Sequence, residues 1–136
     1  MGALVVRGDL EGAPCPRRVL LEDQRDRLPD ELLLLASFSL GCLQLGRELD
    51  EKTGAFVETA AVLKNLDLLI ACDTAIIHVA GALGVPVWVA AGNVPDWRWM
   101  IEREDTPAYP SMRLFRQTTF GDWPGVFSRI AKALGG

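Results

Sequence analysis

Apolar residues of this chain cluster in runs whose spacing and boundaries indicate secondary structure. The run from Leu66 to Cys72 does not show the alternation of apolar and polar residues that marks a half-exposed strand. A continuous apolar run of this kind is typical of a strand covered on both faces, as in parallel sheets. Thr74 to Leu83 predicts a helix that stops at Gly84, and Pro86 cannot continue it. Val85 to Ala91 predicts the next buried strand.

The same reasoning predicts further elements on both sides of these runs. Residues 7–19 are rich in glycine and proline and predict a loop. The last helix has one apolar face, with Asp122 capping its start and Gly135 at its end. The other predicted elements are strands at Ala3–Val6, Phe38–Gly46 and Met112–Gln117, and helices at Pro29–Ala36 and Gly54–Lys64.

Strands that alternate with helices indicate βαβ units, with helices on both faces of a parallel sheet. We therefore predict one α/β domain over residues 1–136, a Rossmann-like fold with a doubly wound parallel sheet. In such folds the ligand lies beyond the carboxyl ends of the strands, near a switch in strand order.

Composition narrows the function classes. The chain has 136 residues, 49% of them hydrophobic, and a formal charge of −4, which argues against nonspecific binding to nucleic acid. Its three cysteines show no CxxC spacing, so we expect free thiols, a cytoplasmic location and no metal site. No P-loop or dinucleotide fingerprint is present, and we predict no cofactor. No apolar run reaches the length of a membrane span.

The Asp73-Thr74 junction is the main candidate for ligand binding. It follows a buried strand and opens a helix, whose first amides lack helical partners and favour an anion such as phosphate. Thr74 and the amides of Ala75 and Ile76 would hold the phosphate, while Asp73 would accept hydrogen bonds from sugar hydroxyls. The alternative is that Asp73 simply caps the helix.

Two further residues lie close to this junction in sequence. His78 is four residues after Thr74, so the two share a helix face, where the imidazole is either a ligand contact or a satisfied core residue. Cys72 would be a nucleophile in a hydrolase using His78, or it simply packs. Gly81, inside the helix, predicts close contact between helix and sheet.

Arginines follow in two later motifs. Arg98 stands between Trp97 and Trp99, where it would hold a nucleobase or phosphate, or where the tryptophans would cover the edge of the sheet. In "RLFRQ", Arg113 and Arg116 are expected to pair with acids at positions 102, 104 or 105.

These motifs together resemble a known family. The segments "TAAVLKNLDLLIACDTAIIHVAGALGVPVWV", "VPDWRWM" and "YPSMRLFRQ" are similar to the C-terminal region of bacterial glycosyltransferase family 9-like proteins. These include heptosyltransferases and transferases fused behind tetratricopeptide repeats. The resemblance runs from about Phe56 to the C-terminus and continues more faintly towards the first strand.

The resemblance implies one half of a GT-B fold, the half that binds a nucleotide-diphosphate sugar linked to UDP, ADP or GDP. Carried over, Asp73 would face the donor sugar, Thr74 with the two following amides would hold the diphosphate, and His78 would lie beside them. Gln44 matches a glutamine at the cleft edge. Arg17 or Arg18 matches loosely a basic group near phosphate. The general base belongs to the other half of the fold.

We therefore expect a donor-binding domain that is incomplete for catalysis alone and that works with a separate N-terminal half. The alternative is a non-enzymatic Rossmann module that binds a protein or forms a homo-oligomer, with Trp97, Trp99 and Tyr109 exposed on its surface. No catalytic residue is assigned within this chain.

Overall fold

The computed structural model of the protein describes residues 3–7, 18–21, 50–94 and 96–135. In this part of the chain, one sheet contains β1 (Ala3–Arg7), β2 (Arg18–Leu21), β3 (Leu68–Cys72), β4 (Val87–Ala91) and β5 (Met112–Arg116). The strand order is β2-β1-β3-β4-β5. Three α-helices accompany the described strands, namely α1 (Val57–Leu63), α2 (Ala75–Ala82) and α3 (Trp123–Gly135).

The strands β3, β4 and β5 are parallel and are buried on both faces. Alternate side chains enter two hydrophobic layers because successive residues of a strand point to opposite faces. The layer shared with α1 and α2 contains the strand residues Leu69, Ala71, Val87, Val89, Met112 and Leu114. The layer shared with α3 contains Ile70, Ala90 and Phe115. The predicted α/β class, with helices on both faces of parallel strands, is confirmed.

The predicted elements around these strands are also confirmed where the structure describes them. Each of the three helices and the strands β1, β3, β4 and β5 lies within or beside its predicted range, and most are shorter by a few residues, whereas β2 was not predicted. The helix predicted at Pro29–Ala36 and the strand predicted at Phe38–Gly46 lie outside the described residues.

The prediction of a parallel sheet is wrong for β1, which runs antiparallel to both of its neighbours. Arg7 pairs with Arg18 of β2, and Ala3 pairs with Ala71 of β3. Residues 8–17 are too few for a parallel connection, which needs about a dozen residues or more. Arg18 and Val19 were predicted to lie in a loop, and this prediction is wrong because they pair with Arg7 and Val6 as the start of β2.

The C-terminal end of α2 follows from local sequence. At its C-terminus Gly84 adopts a φ of 72°, a left-handed conformation that glycine enters without steric cost. The amide of Gly84 donates to the carbonyl of Gly81, and that of Val85 to the carbonyl of Ala80. These two bonds form a Schellman motif, so the predicted stop at Gly84 is confirmed.

Helix α1 is capped by a side chain that precedes it by several residues. The Asp50 carboxylate accepts hydrogen bonds from the backbone amides of Glu58 and Thr59, and Glu58 accepts from the amide of Asp50 in return. A hydrogen bond from the Thr59 hydroxyl is the main reason why the pKa of Asp50 is lowered. A lowered carboxyl pKa means that the cap is present at neutral pH and is lost only as acid protonates Asp50.

Gly81 allows two side chains to approach α2 closely. A Cβ atom added there would lie 2.5 Å from Met112 Cε and 2.6 Å from Tyr109 Cγ. The predicted close contact between helix and sheet at Gly81 is therefore confirmed. None of the helices in the described part of the chain has the length and apolarity that crossing a bilayer requires.

We expect Gly81→Ala to destabilise the protein by about 1–3 kcal/mol, because the new methyl group overpacks the Met112 and Tyr109 contacts. This cost outweighs the gain in helix propensity of up to about 1 kcal/mol. Gly92→Ala is the control, since a Cβ there meets no atom within 4 Å. Urea unfolding measures both variants, and equal stability of the two would contradict the packing argument.

Candidate functional site

Polar side chains gather where the three parallel strands end. Asp73 and Thr74 follow β3, Asn93 follows β4, and Gln117 follows β5. The loops after β4 and β5 are joined through Gln117, whose Oε1 accepts from the backbone amides of Asn93 (3.2 Å) and Gly121 (3.3 Å). This is the sheet edge at which α/β folds bind ligands.

Thr74 is the N-cap residue of α2, with extended backbone angles (φ −145°, ψ 169°). No side chain among the described residues caps this helix, and Ala75 is exposed to solvent. The first-turn amides are therefore free of side-chain acceptors there, and the helix dipole adds a partial positive charge. Asp73 is not the N-cap residue and accepts no cap hydrogen bond among the described residues. The alternative in which Asp73 simply caps the helix is therefore wrong.

The Asp73 carboxylate is held by an aromatic donor instead. The indole Nε1 of Trp99 donates to Asp73 Oδ2 at 2.6 Å. Trp99 lies in a short 3-10 turn (Trp97–Trp99) and is only 1% exposed, whereas the Asp73 side chain is 39% exposed. One carboxylate oxygen is thus fixed by a buried neighbour, and the side chain still reaches solvent.

His78 connects this carboxylate to a tyrosine. Its Nε2 lies 3.9 Å from Asp73 Oδ1, and its Nδ1 lies 3.2 Å from the hydroxyl of Tyr109. The imidazole stacks on Trp99 with ring centroids 5.4 Å apart. Asp73, His78, Trp99 and Tyr109 therefore form one contiguous group, which we call the Asp73 cluster.

Cys72 and His78 do not form a catalytic pair. Cys72 packs in the layer beneath α3, whereas His78 lies on α2, on the opposite face of the sheet. Burial raises the pKa of the Cys72 thiol, which disfavours the thiolate that a nucleophile requires. These observations argue against a hydrolase based on this thiol.

The tryptophans on either side of Arg98 have different environments. The alternative in which both tryptophans cover the edge of the sheet fits Trp99, which is buried and stacks on His78, but not Trp97, which is 82% exposed. The Arg98 guanidinium lies over the Trp97 ring, 5.7 Å from its centroid, and its Nε is 3.4 Å from Asp96 Oδ1. Arg98 is therefore close to the Asp73 cluster in sequence but is paired with its own neighbours.

Among the remaining sequence-predicted residues that the structure describes, Arg18 and Arg113 lie away from this edge, whereas Arg116 is the last residue of β5 and lies at it. Arg18 pairs with Arg7 at the end of β1 that lies beside the start of β3, so its backbone is at the sheet edge opposite Asp73. Gln44 lies outside the described residues. Arg113 pairs with Glu104 at 3.3 Å, as predicted. Arg116 differs from its prediction, because its described partners are main-chain carbonyls.

Sequence reasoning did not identify Trp99 and Tyr109 as partners of the junction. Both lie in the irregular connection between β4 and β5, where spacing gives no indication of contacts. One feature of the sequence could have indicated these contacts: the connection between β4 and β5 is rich in aromatic residues, and the neighbouring strand β3 ends at a charged residue, Asp73. No group of three or more metal-ligating side chains occurs among the residues described.

Comparison with known proteins gives a partial match. Protein FlbA of Caulobacter vibrioides is 35% identical over 77 residues, a segment that covers 57% of this chain and 13% of FlbA. The chain therefore matches only a small part of that relative's length. No protein-family model and no solved structure matches the chain.

We expect Trp99→Phe to destabilise the protein by about 1 kcal/mol, because it removes a hydrogen bond to a charged group that water can partly replace. The phenyl ring keeps most of the stacking on His78. Trp97→Phe is the matched control and should change the free energy of unfolding by less than about 0.5 kcal/mol, as at other exposed sites. Urea denaturation decides, and an equal loss in both variants would show that the indole N–H contributes nothing.

Proposed function

We propose that this chain is the nucleotide-sugar-binding half of a glycosyltransferase similar to family 9, with the Rossmann-like, doubly wound architecture of a GT-B half. The single observation that carries the proposal is the uncapped start of α2 at the carboxyl edge of the parallel strands, beside the partly exposed Asp73 carboxylate. The resemblance of the motifs to family 9-like proteins adds the substrate class, a nucleotide-diphosphate sugar.

The diphosphate of the donor would bind at the start of α2. Thr74 supplies a hydroxyl, and Ala75 and Ile76 supply backbone amides that point out of the helix start. Their donors and the helix dipole favour a doubly charged group without any metal ion. Backbone amides are fixed in direction by the helix, so they need no reorganisation when charge develops on the leaving diphosphate.

The sugar would lie against Asp73. Because Trp99 already donates to Oδ2, the other carboxylate oxygen has more remaining capacity to accept from sugar hydroxyls. His78 is 3.9 Å from that oxygen and is itself held by Tyr109. A negative charge beside a phosphate site repels the phosphate, so the Asp73 cluster is suited to orient the sugar, and α2 to bind the diphosphate.

Chemically, this half would contribute leaving-group stabilisation and donor orientation. Transfer also needs a general base positioned against the acceptor hydroxyl. We assign that base to a second half or a partner chain, because the resemblance assigns it there. The nucleotide attached to the sugar, whether UDP, ADP or GDP, follows from contacts outside the Asp73 cluster.

Calorimetric titration with UDP-, ADP- and GDP-sugars tests the proposal. One of them should bind, and Thr74→Val and Asp73→Asn should each weaken binding about tenfold by removing a hydrogen bond to a charged group. Thr53→Val, in the turn before α1, is the matched control and should bind like the wild type. Absence of binding by all three donors at about millimolar concentration, with the protein folded, would contradict the proposal.

A second candidate function is association with another protein or with a second copy of the chain. It is favoured by large apolar side chains that are exposed after the ends of β4 and β5, namely Val94, Trp97, Ile101 and Phe120. Trp97 fulfils the expectation of an exposed aromatic, whereas Trp99 is buried and Tyr109 half-buried. Exposed apolar groups of this size are common at interaction surfaces.

Light scattering coupled to gel filtration tests this candidate. A homo-oligomer that Trp97→Ser and Phe120→Ser convert to monomer is the expected result, since both changes remove apolar contact area. Thr118→Ser, another exposed position after β5, is the control. A wild-type monomer at every concentration tested would contradict self-association.

A further inference from the structure

A groove of about 670 Å³ lies along the outer edge of β5, between residues 101–104 and α3. β4 lies between β5, the last strand of the sheet, and β3, which Asp73 follows, although Arg116 of the groove contacts the main-chain carbonyl of Trp99. Small-molecule sites occupy about 300–1,000 Å³, so the groove has room for a ligand of that size.

The groove is strongly cationic in a chain whose formal charge is −4. Its acidic lining residues are Glu102 and Glu104. Its basic lining residues are Arg103, Arg113, Arg116, Arg129 and Lys132. Charge of one sign concentrated in a cleft raises the local concentration of ligands of the opposite sign.

Two of these cations are neutralised by carboxylates. Arg103 donates to both oxygens of Asp105 at 2.7 and 2.6 Å, and Arg113 donates to Glu104 at 3.3 Å. The cationic character of the groove therefore depends on the other three basic residues, which outnumber the remaining lining acid, Glu102.

Arg116 has no carboxylate partner among the described residues. Its Nε donates to the carbonyl of Arg103 at 2.9 Å, its Nη2 donates to the carbonyl of Trp99, and its Nη1 is buried without an acceptor. Burial lowers the pKa of this guanidinium, although arginine stays charged at neutral pH. A partly buried cation that meets only neutral carbonyls is not electrically compensated, which is costly.

The neighbouring donors repeat this pattern. Arg129 donates to the carbonyls of Gly125 and Arg116, and Lys132, one turn further along α3, has no ion pair within the described part of the chain. Gln117 is 7% exposed, and its Nε2 is buried without an acceptor, although its Oε1 accepts two backbone amides. Unpaired buried donors in native structures call for an explanation, such as a missing ion.

We propose that this groove binds the phosphate or pyrophosphate group of a small molecule, at a site other than the donor site at the start of α2. Arg116, Arg129 and Lys132 supply the charge, and the Gln117 amide supplies a neutral donor. Guanidinium groups match phosphate oxygens in geometry and can bind two of them at once. The ligand supplies the acceptors that the unpaired donors lack.

Titration of the folded protein with inorganic pyrophosphate tests this site. Arg129→Gln and Lys132→Gln should each weaken binding about tenfold, because each removes a charged contact. Lys132 makes no described contact, so Lys132→Gln should fold normally. It keeps the test decisive even if Arg129→Gln fails to fold. Lys64→Gln, an exposed cation at the end of α1, is the matched control and should leave binding unchanged.

Two further measurements separate this site from the donor site. Amide chemical-shift changes caused by pyrophosphate should include residues 116–118 and 129–132, and the changes at these residues should persist in Thr74→Val, which alters only the donor site. Shifts confined to residues 74–76, or loss of affinity in Thr74→Val alone, would overturn the groove while supporting the donor site. Binding of an acidic octaglutamate peptide without binding of pyrophosphate would also overturn it, in favour of a peptide surface.

Discussion

Burial of β3, β4 and β5 on both faces is the constraint on which the rest of the structure depends. With one hydrophobic layer beneath α1 and α2 and another beneath α3, the middle of each strand has no place for an unpaired polar group. Polar chemistry is therefore confined to the strand ends and to the outer edge of β5. Both candidate sites of the protein lie at these positions.

The two sites hold their charges in opposite ways. At the carboxyl edge, a single carboxylate is fixed by a neutral indole and lies beside helix amides that favour anions. At the outer edge of β5, Arg116 and Arg129 are fixed by neutral carbonyls and have no acidic partner among the described residues. Neutral partners hold a charged group in place without cancelling its charge, so each remains available to a ligand of the matching sign.

Sequence patterns predicted the elements that depend on local chemistry. The apolar run of β3, the Gly84 stop and the Asp122 cap each follow from a few adjacent residues, and each is observed. The direction of β1 was not predicted, because apolarity reports burial and not orientation. The bond between Trp99 and Asp73 joins residues 26 positions apart, and helical or strand spacing gives no information about such contacts. For Arg116, an acid nearby in sequence was a reasonable partner, but the fold brings carbonyls to it instead.

The antiparallel course of β1 has a practical consequence. Ala3 pairs with Ala71, close to the point where β3 ends, so β1 begins at the carboxyl edge of the sheet. Polypeptide joined ahead of Ala3, such as an affinity tag or an immobilising linker, would leave the sheet beside Asp73. Attachment after α3 keeps such additions off the β1 end of the sheet, and it is the better choice for surface-capture experiments.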